Sequence, residues 1–202
     1  LQTQNAFNEN FWEVLPIEKI KISDEIITVD GIDNANFIKG EEKAAKTIQK
    51  HSMIINGIQE NSKIANAYLL LGKARYLDQR FVPALDAFNQ VYKHMAINDE
   101  LDESIIWKAK CNIRLEQEGS AIDLLKNLLI KEKINSRNKA HANAVLSMAY
   151  LQLDELEKSS KALKIASEIE TNKITKARHL YILGQLLEKQ LKIDSANIYF
   201  RK

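Results

Sequence analysis

The residue types that most often carry chemistry are sparse in this chain. None of its four histidines has a second metal ligand three or four residues away, and they fall at different phases of separate predicted helices: His51, His94, His141 and His179. That spacing favours structural or surface roles over metal binding or acid–base catalysis. The six glycines are isolated from one another, so no glycine-rich phosphate-binding loop is present in the sequence.

A single cysteine and one acidic cluster complete the set of candidate groups. Cys111 excludes an intramolecular disulfide and a cysteine-built metal site, and its place inside a predicted helix favours a small buried hydrophobic residue over a reactive thiol. The acidic cluster from Asp99 to Glu103 lacks the alternating oxygen ligands and central glycine of a calcium loop. We predict that it lies at a helix N-terminus, where negative charge interacts favourably with the helix dipole. The sequence thus predicts no catalytic residue, cofactor or metal, and a protein that is not an enzyme.

The elements that would position any site are set by a repeat. One pattern begins at Ala65, Asp102, Ala140 and Ala177, at spacings of 37, 38 and 37 residues. A period of this length predicts a stacked array of helical hairpins. Each copy has a small residue at positions 8 and 20 and a large apolar residue at position 24, which are in turn Gly72, Ala84 and Phe88; Ala109, Ala121 and Leu125; Ser147, Ser159 and Leu163; Gly184, Ala196 and Phe200.

The first copy illustrates the expected hairpin. Apolar residues at three-and-four spacing predict a first helix, here called helix A, over Ile64 to Asp78. The second, helix B, is predicted to begin near Pro83, and the short link forces the two helices to lie antiparallel. Gly72 and Ala84 are predicted to lie where the two backbones come closest, with Phe88 filling the space between them.

This pattern resembles the tetratricopeptide repeat (TPR). The first copy carries the matching residues Tyr68, Leu71, Gly72, Ala84 and Phe88, and the second copy is the weakest match. The resemblance implies an all-α fold, a TPR-like α-solenoid of antiparallel helix hairpins that form a right-handed superhelix.

Three segments are predicted along the chain. Residues 1–36 are predicted to be mostly extended, with a short helix over 5–14 and a strap through Ile17, Ile20 and Ile22. Residues 37–63 hold the single helix of an incomplete repeat, with Ala44 or Ala45 as its small position, followed by a loop. Residues 64–202 hold four repeats, 65–101, 102–139, 140–176 and a truncated 177–202. Extra residues of each repeat are assigned to connectors, namely His94 to Leu101, Glu132 to Lys139 and Glu170 to Ile174.

The TPR resemblance also implies a concave groove lined by the A helices, where partner proteins or peptides bind. Of the residues at its groove positions, we predict these as partner-binding: Asn66, Lys73, Tyr76, Glu103, Lys110, Arg114, His141, Met148, Gln152, Arg178, Tyr181, Gln185 and Lys189. The lysine and asparagine clamp with which some family members hold a C-terminal carboxylate is absent, although acidic or amphipathic segments remain possible ligands. Alternatively, these residues form a solvated helix face with no partner.

Charge and hydropathy disfavour two kinds of partner, nucleic acids and the interior of a membrane. Basic residues outnumber acidic ones by only 29 to 27 and are interspersed with them, which disfavours nucleic-acid binding. No apolar run approaches the ~18 residues that a membrane-spanning helix needs, so direct membrane insertion is not expected. The chain begins Leu-Gln-Thr-Gln-Asn, without an initiator methionine or signal peptide, and we expect it to be an excised fragment.

A narrower resemblance rests on three stretches: residues 11–20 (FWEVLPIEKI), 41–53 (EEKAAKTIQKHSM) and 67–88. Together they are similar to the N-terminal part of the PorW/SprE lipoproteins of the Bacteroidota. The resemblance implies an outer-membrane lipoprotein that faces the periplasm and serves type IX secretion and gliding motility. Its implied partners are components of the periplasmic ring and of the outer-membrane translocon. The family's lipidated N-terminal cysteine is missing here, and Cys111 inside a helix cannot replace it.

Three functional hypotheses follow. The first is a non-enzymatic scaffold that holds secretion components together, through a broad contact on the convex side or along the N-terminal strap. The second is a peptide-binding receptor or co-chaperone in which the groove residues dominate. The third is a regulatory domain of an enzyme whose catalytic part lies elsewhere.

Overall fold

The structure is a computed structural model that describes residues 19–22, 25–28, 34–51, 62–93 and 98–201. These residues form two strands and nine helices: β1 (Lys19–Ile22), β2 (Glu25–Thr28), α1 (Asn34–His51), α2 (Ser62–Leu77), α3 (Phe81–Val91), α4 (Asn98–Arg114), α5 (Glu118–Leu129), α6 (Ser136–Gln152), α7 (Leu156–Ile169), α8 (Lys173–Lys189) and α9 (Ile193–Phe200). The predicted helix over residues 5–14 lies outside the described residues. The chain divides into two compact units, Leu1–Glu100 and Leu101–Lys202.

The strands of the first unit form an antiparallel hairpin. Lys19 lies opposite Thr28 and Ile22 opposite Glu25, and β1 lies beside α2. Of the strap predicted through Ile17, Ile20 and Ile22, the last two lie in one extended arm of this hairpin, and Ile17 lies outside the described residues. Two β-branched runs separated by only two residues pair with each other because pairing satisfies their backbone hydrogen-bonding groups.

The helices of the first unit pack in chain order, α1 on α2 and α2 on α3. Ala44 is fully buried in a core with Leu70, Leu71 and Ala87, whereas Ala45 is exposed. The small position of α1 is therefore Ala44. The helix begins at Asn34, and the predicted boundaries between the three segments stay predictions.

A charged network attaches α1 to the α2–α3 turn. The Glu41 carboxylate accepts a hydrogen bond from Arg75 Nε at 2.9 Å and pairs with the Arg80 guanidinium, which also contacts Asp78 at 2.6 Å. Burial alone would raise the pKa of Glu41, but the hydrogen bonds from Arg80 and Arg75 lower it below its ordinary value.

The repeat positions meet inside each hairpin. A Cβ added at Gly72 would lie 2.4 Å from the Phe88 ring, and one added at Gly184 would lie 2.5 Å from the Phe200 ring. The nearest atoms to each added Cβ belong to the aromatic ring at position 24, in agreement with the prediction that this residue fills the space beside the small ones. In these two copies the glycine provides the space that the ring occupies.

The middle two copies fill the same space differently. Ala109, Ala121 and Leu125 are all fully buried in the second copy. The third copy has Ser147 and Ser159, whose hydroxyl oxygens lie 2.9 Å apart, and Ser159 Oγ also donates to the Ser147 carbonyl at 2.9 Å. Ser147 must therefore donate to Ser159. A leucine at position 24 accompanies alanine or serine at position 8, whereas phenylalanine accompanies glycine.

Two A helices begin earlier than predicted because asparagines cap them. Asn135 accepts a hydrogen bond from the backbone N–H of Asn138 at 2.7 Å, and Asn172 accepts from Ile174 and Thr175 at 3.0 and 3.1 Å. A capped end is stabilised because these N–H groups have no partner within the helix. The residues predicted as connectors therefore lengthen the A helices at their start. Asp99 and Glu100 lie in the first turn of α4, as predicted for the acidic cluster.

Every A–B turn contains a left-handed residue at repeat position 15, and none of them is glycine: Gln79, Glu116, Asp154 and Leu191 have φ between 56° and 60°. The following residue donates to a carbonyl five positions back, as Lys192 does to Leu187 at 2.9 Å. These bonds close the A helices in the manner of a Schellman motif.

Leu191 is the turn residue whose replacement by glycine should stabilise the fold most clearly. A left-handed conformation costs an L-residue about 1–2 kcal/mol, and Leu191 is exposed, so truncation leaves no cavity. After the greater flexibility of glycine in the unfolded chain is included, we expect Leu191→Gly to raise the free energy of unfolding by about 0.5–1 kcal/mol in urea titrations. Ser195→Gly, within α9, should lower it, and a lower stability for Leu191→Gly would contradict the strain argument.

Candidate interaction surface

Three of the predicted partner-binding side chains are buried. Lys73 is 6% exposed, Tyr76 2% and Lys110 2%. In the first unit, the Tyr76 ring packs edge-on against Phe81, with ring centroids 5.3 Å apart. These three residues support packing, and a partner protein cannot contact them without a rearrangement.

In the second unit, Trp107 explains the burial of Lys110. The ammonium nitrogen of Lys110 lies 3.9 Å from the centroid of the indole ring, a cation–π contact. The Trp107 Nε1–H donates to Glu103 Oε1 at 3.3 Å, and His141 packs edge-on with its ring centroid 6.1 Å away. The sequence pattern did not predict this cluster. The spacing of three residues between Trp107 and Lys110, one helical turn, was the available signal.

The accessible part of the predicted surface lies on α6 and α8. Gln152, Tyr181 and Lys189 are exposed there. The half-buried predicted residues on the same two helices are His141, Met148, Arg178 and Gln185, and those on α2 and α4 are Asn66, Glu103 and Arg114. We call the α6 and α8 set the A-helix face of the second unit. It combines apolar contact area, two side-chain amides and two cationic groups.

Groups that could perform chemistry are held in packing roles where the structure describes them. Cys111 is fully buried, and burial raises the pKa of its thiol to about 12, so the reactive thiolate is scarce at neutral pH. Among the described residues, no three histidine, cysteine, aspartate or glutamate side chains are arranged to hold a metal ion. His94 and the side chain of His51 lie outside the described residues.

His179 makes stability depend on pH. Its buried Nδ1 has no hydrogen-bond partner among the residues that the structure describes, and burial lowers the pKa of the imidazole, against the opposing effect of Glu170. Because the native pKa lies below the unfolded value of about 6.5, the unfolded chain binds more protons as the pH falls. Stability contributed by neutral His179 is therefore complete above about pH 6.5 and decreases below it.

We expect His179→Gln to remove this component of the pH dependence. In the unsubstituted chain, the free energy of unfolding should fall by about 1.4 kcal/mol for every tenfold difference in the proton affinity of His179 between the folded and unfolded states. Urea titrations of both proteins from about pH 8 to pH 5.5 measure it. If the free energy of unfolding depends on pH identically in the two proteins, the assignment of this pH dependence to His179 is wrong.

Similarity to proteins of known structure is found by superposing the backbones, and sequence identity is low. A crystal structure of MamA superposes with a TM-score of 0.59 at 18% identity and covers 83% of this chain and 86% of that one. MamA from Desulfovibrio magneticus RS-1 gives a TM-score of 0.56 at 14% identity, covering 83% and 91%. YrrB, described as a TPR protein with an unusual peptide-binding site, gives 0.52 at 16% identity, covering 84% and 82%.

This chain has the TPR fold. The prediction of a TPR-like α-solenoid is thereby confirmed. No protein-family model matches the sequence, and a search of curated proteins finds no match. No helix in the described ranges is both long enough and apolar enough to cross a membrane.

Proposed function

We propose that this TPR protein is a non-enzymatic scaffold that binds other proteins through the A-helix face of the second unit. The observation that carries the proposal is the contrast within the A helices. The side chains of Lys73 and Lys110 are buried in packing, whereas Gln152, Tyr181 and Lys189 remain exposed. Amides can hydrogen-bond the backbone of a partner, and an exposed aromatic ring supplies contact area. The peptide-binding site named for YrrB supports the same type of use.

A pull-down from native periplasmic extract tests the face. The variant Gln152→Ala, Tyr181→Ala and Lys189→Ala removes exposed groups of α6 and α8. A matched control, Asn127→Ala, Lys164→Ala and Ile165→Ala, removes an amide, a lysine and an apolar group from exposed positions on α5 and α7. We expect the first variant to lose the proteins that the unsubstituted chain retains, and the control to keep them. Loss with the control alone would place the contact on the B helices and refute the proposed face.

We further propose that the bound proteins belong to a type IX secretion and gliding apparatus. This step rests on the resemblance of residues 11–20, 41–53 and 67–88 to PorW/SprE lipoproteins. It implies a place at the periplasmic face of the outer membrane, with components of the periplasmic ring and of the outer-membrane translocon as partners.

Purified ring and translocon components, added separately to the immobilised chain, test this assignment. Saturable binding of at least one of them, weakened by the triple substitution on α6 and α8, is expected. If the chain retains other proteins through that face but binds none of these components, the scaffold function stands and the secretion role is wrong.

The alternative function is a peptide-binding receptor or co-chaperone. The same exposed amides favour it, because they suit the backbone of an extended peptide. Competition separates the two functions. Short peptides derived from a retained protein should displace that protein from a receptor, whereas a scaffold with a broad folded contact should retain it.

A further inference from the structure

Leucine is an unusual residue for an A–B turn. Leu191 has a left-handed backbone, with φ of 60°, and its side chain is 86% exposed, so few contacts within the chain offset the strain. The other copies have polar residues at this position, namely Gln79, Glu116 and Asp154. Asp154 is exposed although three helices follow it, so exposure is a property of the turn position and not of the chain end. A strained, exposed apolar side chain indicates a role outside its own hairpin.

The A–B turns of the second unit combine leucines with acidic groups. Leu153 is 46% exposed in the turn before that of Leu191. The two turns lie side by side, because Lys192 of the later turn pairs with Glu157 at 3.2 Å. The exposed carboxylates of Glu116 and Asp154 have no ion pair among the described residues. We define the A–B edge by Glu116, Leu153, Asp154 and Leu191.

The opposite edge, where B helices end and A helices begin, combines isoleucines with basic groups. Ile130 is 79% exposed and Ile174 is 72% exposed. Lys133 and Lys173 are exposed in the same two connections, and neither has an ion pair within the part of the chain that the structure describes. Glu132 is the one acidic residue between α5 and α6. We define the B–A edge by Ile130, Lys133, Lys173 and Ile174.

The two edges are complementary to each other. Each offers two exposed aliphatic side chains, with carboxylates beside them on the A–B edge and ammonium groups beside them on the B–A edge. The 17-residue helix α6 runs from one edge to the other, a length of about 25 Å, so the edges of one unit do not meet. Unlike edges attract through their charges, whereas like edges repel each other.

We propose that the A–B edge of one molecule binds the B–A edge of a second molecule of this protein. The leucines contact the isoleucines, and the acidic residues of the first molecule face the lysines of the second. Such a contact joins two different surfaces, so each bound molecule leaves one edge open and association continues beyond a dimer. The contact leaves Tyr181 and Lys189 unused, and it does not depend on the function proposed for the A-helix face.

Sedimentation velocity of the 202-residue chain from about 5 µM to about 500 µM tests the proposal. We expect the sedimentation coefficient to rise with concentration, and to rise less when salt is increased from about 50 mM to about 500 mM. Leu191→Gly, which relieves the strained turn, should weaken association about tenfold because it removes an apolar contact. Ile174→Ser should act similarly, since it introduces the residue that the preceding copy has there, Ser136. The control Ile165→Ser, at an exposed position within α7, should leave association unchanged.

A mixture of the two edge variants tests the head-to-tail geometry. Leu191→Gly keeps the B–A edge, and Ile174→Ser keeps the A–B edge. At a concentration where neither variant associates alone, an equimolar mixture should therefore form one-to-one dimers and nothing larger.

Three results would overturn the proposal. The first is a chain that remains monomeric up to about 500 µM. The second is a dimer that Leu191→Gly dissociates and Ile174→Ser does not, because two A–B edges would then bind each other. The third is a monomeric chain that binds anionic phospholipid vesicles and loses this binding with Ile174→Ser, which would assign the B–A edge to a lipid surface.

Discussion

Replacing Gly72 with alanine is expected to lower the free energy of unfolding by about 1–3 kcal/mol, although alanine is the better helix former. The reason is the Phe88 ring, which would lie 2.4 Å from the new methyl group. The ring is almost fully buried, so it can move only by displacing its neighbours. Urea titration of the two proteins measures the difference.

The same pair of residues allows a double-mutant cycle. Phe88→Leu alone should cost about 1–2 kcal/mol because it leaves a cavity. Adding Gly72→Ala to it recreates the combination of Ala109 with Leu125 in the second copy. We therefore expect the free energy of unfolding of the double variant to exceed the value calculated from the two single effects by about 1 kcal/mol or more.

Gly119 provides the control. It lies in α5, and nothing lies within 4 Å of an added Cβ. Gly119→Ala should raise stability, by up to about 1 kcal/mol. Strict additivity of the Gly72 and Phe88 substitutions would show that the two positions do not share one space.

Removing one hydroxyl of the buried serine pair is expected to lower the free energy of unfolding more than removing both. Ser159→Ala should lower the free energy of unfolding by about 1–3 kcal/mol, because the buried Ser147 hydroxyl then loses its acceptor. The double variant Ser147→Ala and Ser159→Ala places two alanines at these positions, as Ala109 and Ala121 do in the second copy. It should lie within about 1 kcal/mol of the unsubstituted chain.

Chemical denaturation of the three serine variants decides between pairing and simple loss of volume. Ser120→Ala, at an exposed position of α5, should leave stability nearly unchanged. If the double variant loses the sum of two independent single effects, the hydrogen bond between the hydroxyls contributes little.

The repeat could be predicted from the sequence because its determinants are residue size and spacing. Small residues at positions 8 and 20 and a large one at position 24 leave few ways to pack two helices, and these positions are buried from Gly72 in the first copy to Ala196 in the last. The fold follows from that pattern alone. The ring of Phe200 is the exception, since one side of it remains exposed.

The helix ends and the turns could not be predicted in the same way. Asn135 and Asn172 cap helices from within stretches that are polar throughout, so their composition indicated connectors. The left-handed position was hidden because Leu191 and Asp154 occupy it in place of glycine. What the four left-handed residues share in the sequence is repeat position 15.

The candidate surface was the least predictable part. Groove positions were assigned by repeat number, which says nothing about what covers a side chain. Lys110 was predicted to face a partner, but its ammonium group lies over the Trp107 ring. The other three copies have no tryptophan at the repeat position of Trp107. Exposure at Gln152 and Lys189 could be determined only once neighbouring helices were in place.

Site-specific photocrosslinking in cells that produce the protein tests most directly whether the A-helix face of the second unit binds another protein. A photoreactive residue replaces Gln152 on α6 in one protein and Asn127 on α5 in the other; both are exposed amides. We expect a discrete crosslinked protein from position 152 and none from position 127. An adduct from position 127 alone, or no adduct from position 152, would contradict this expectation.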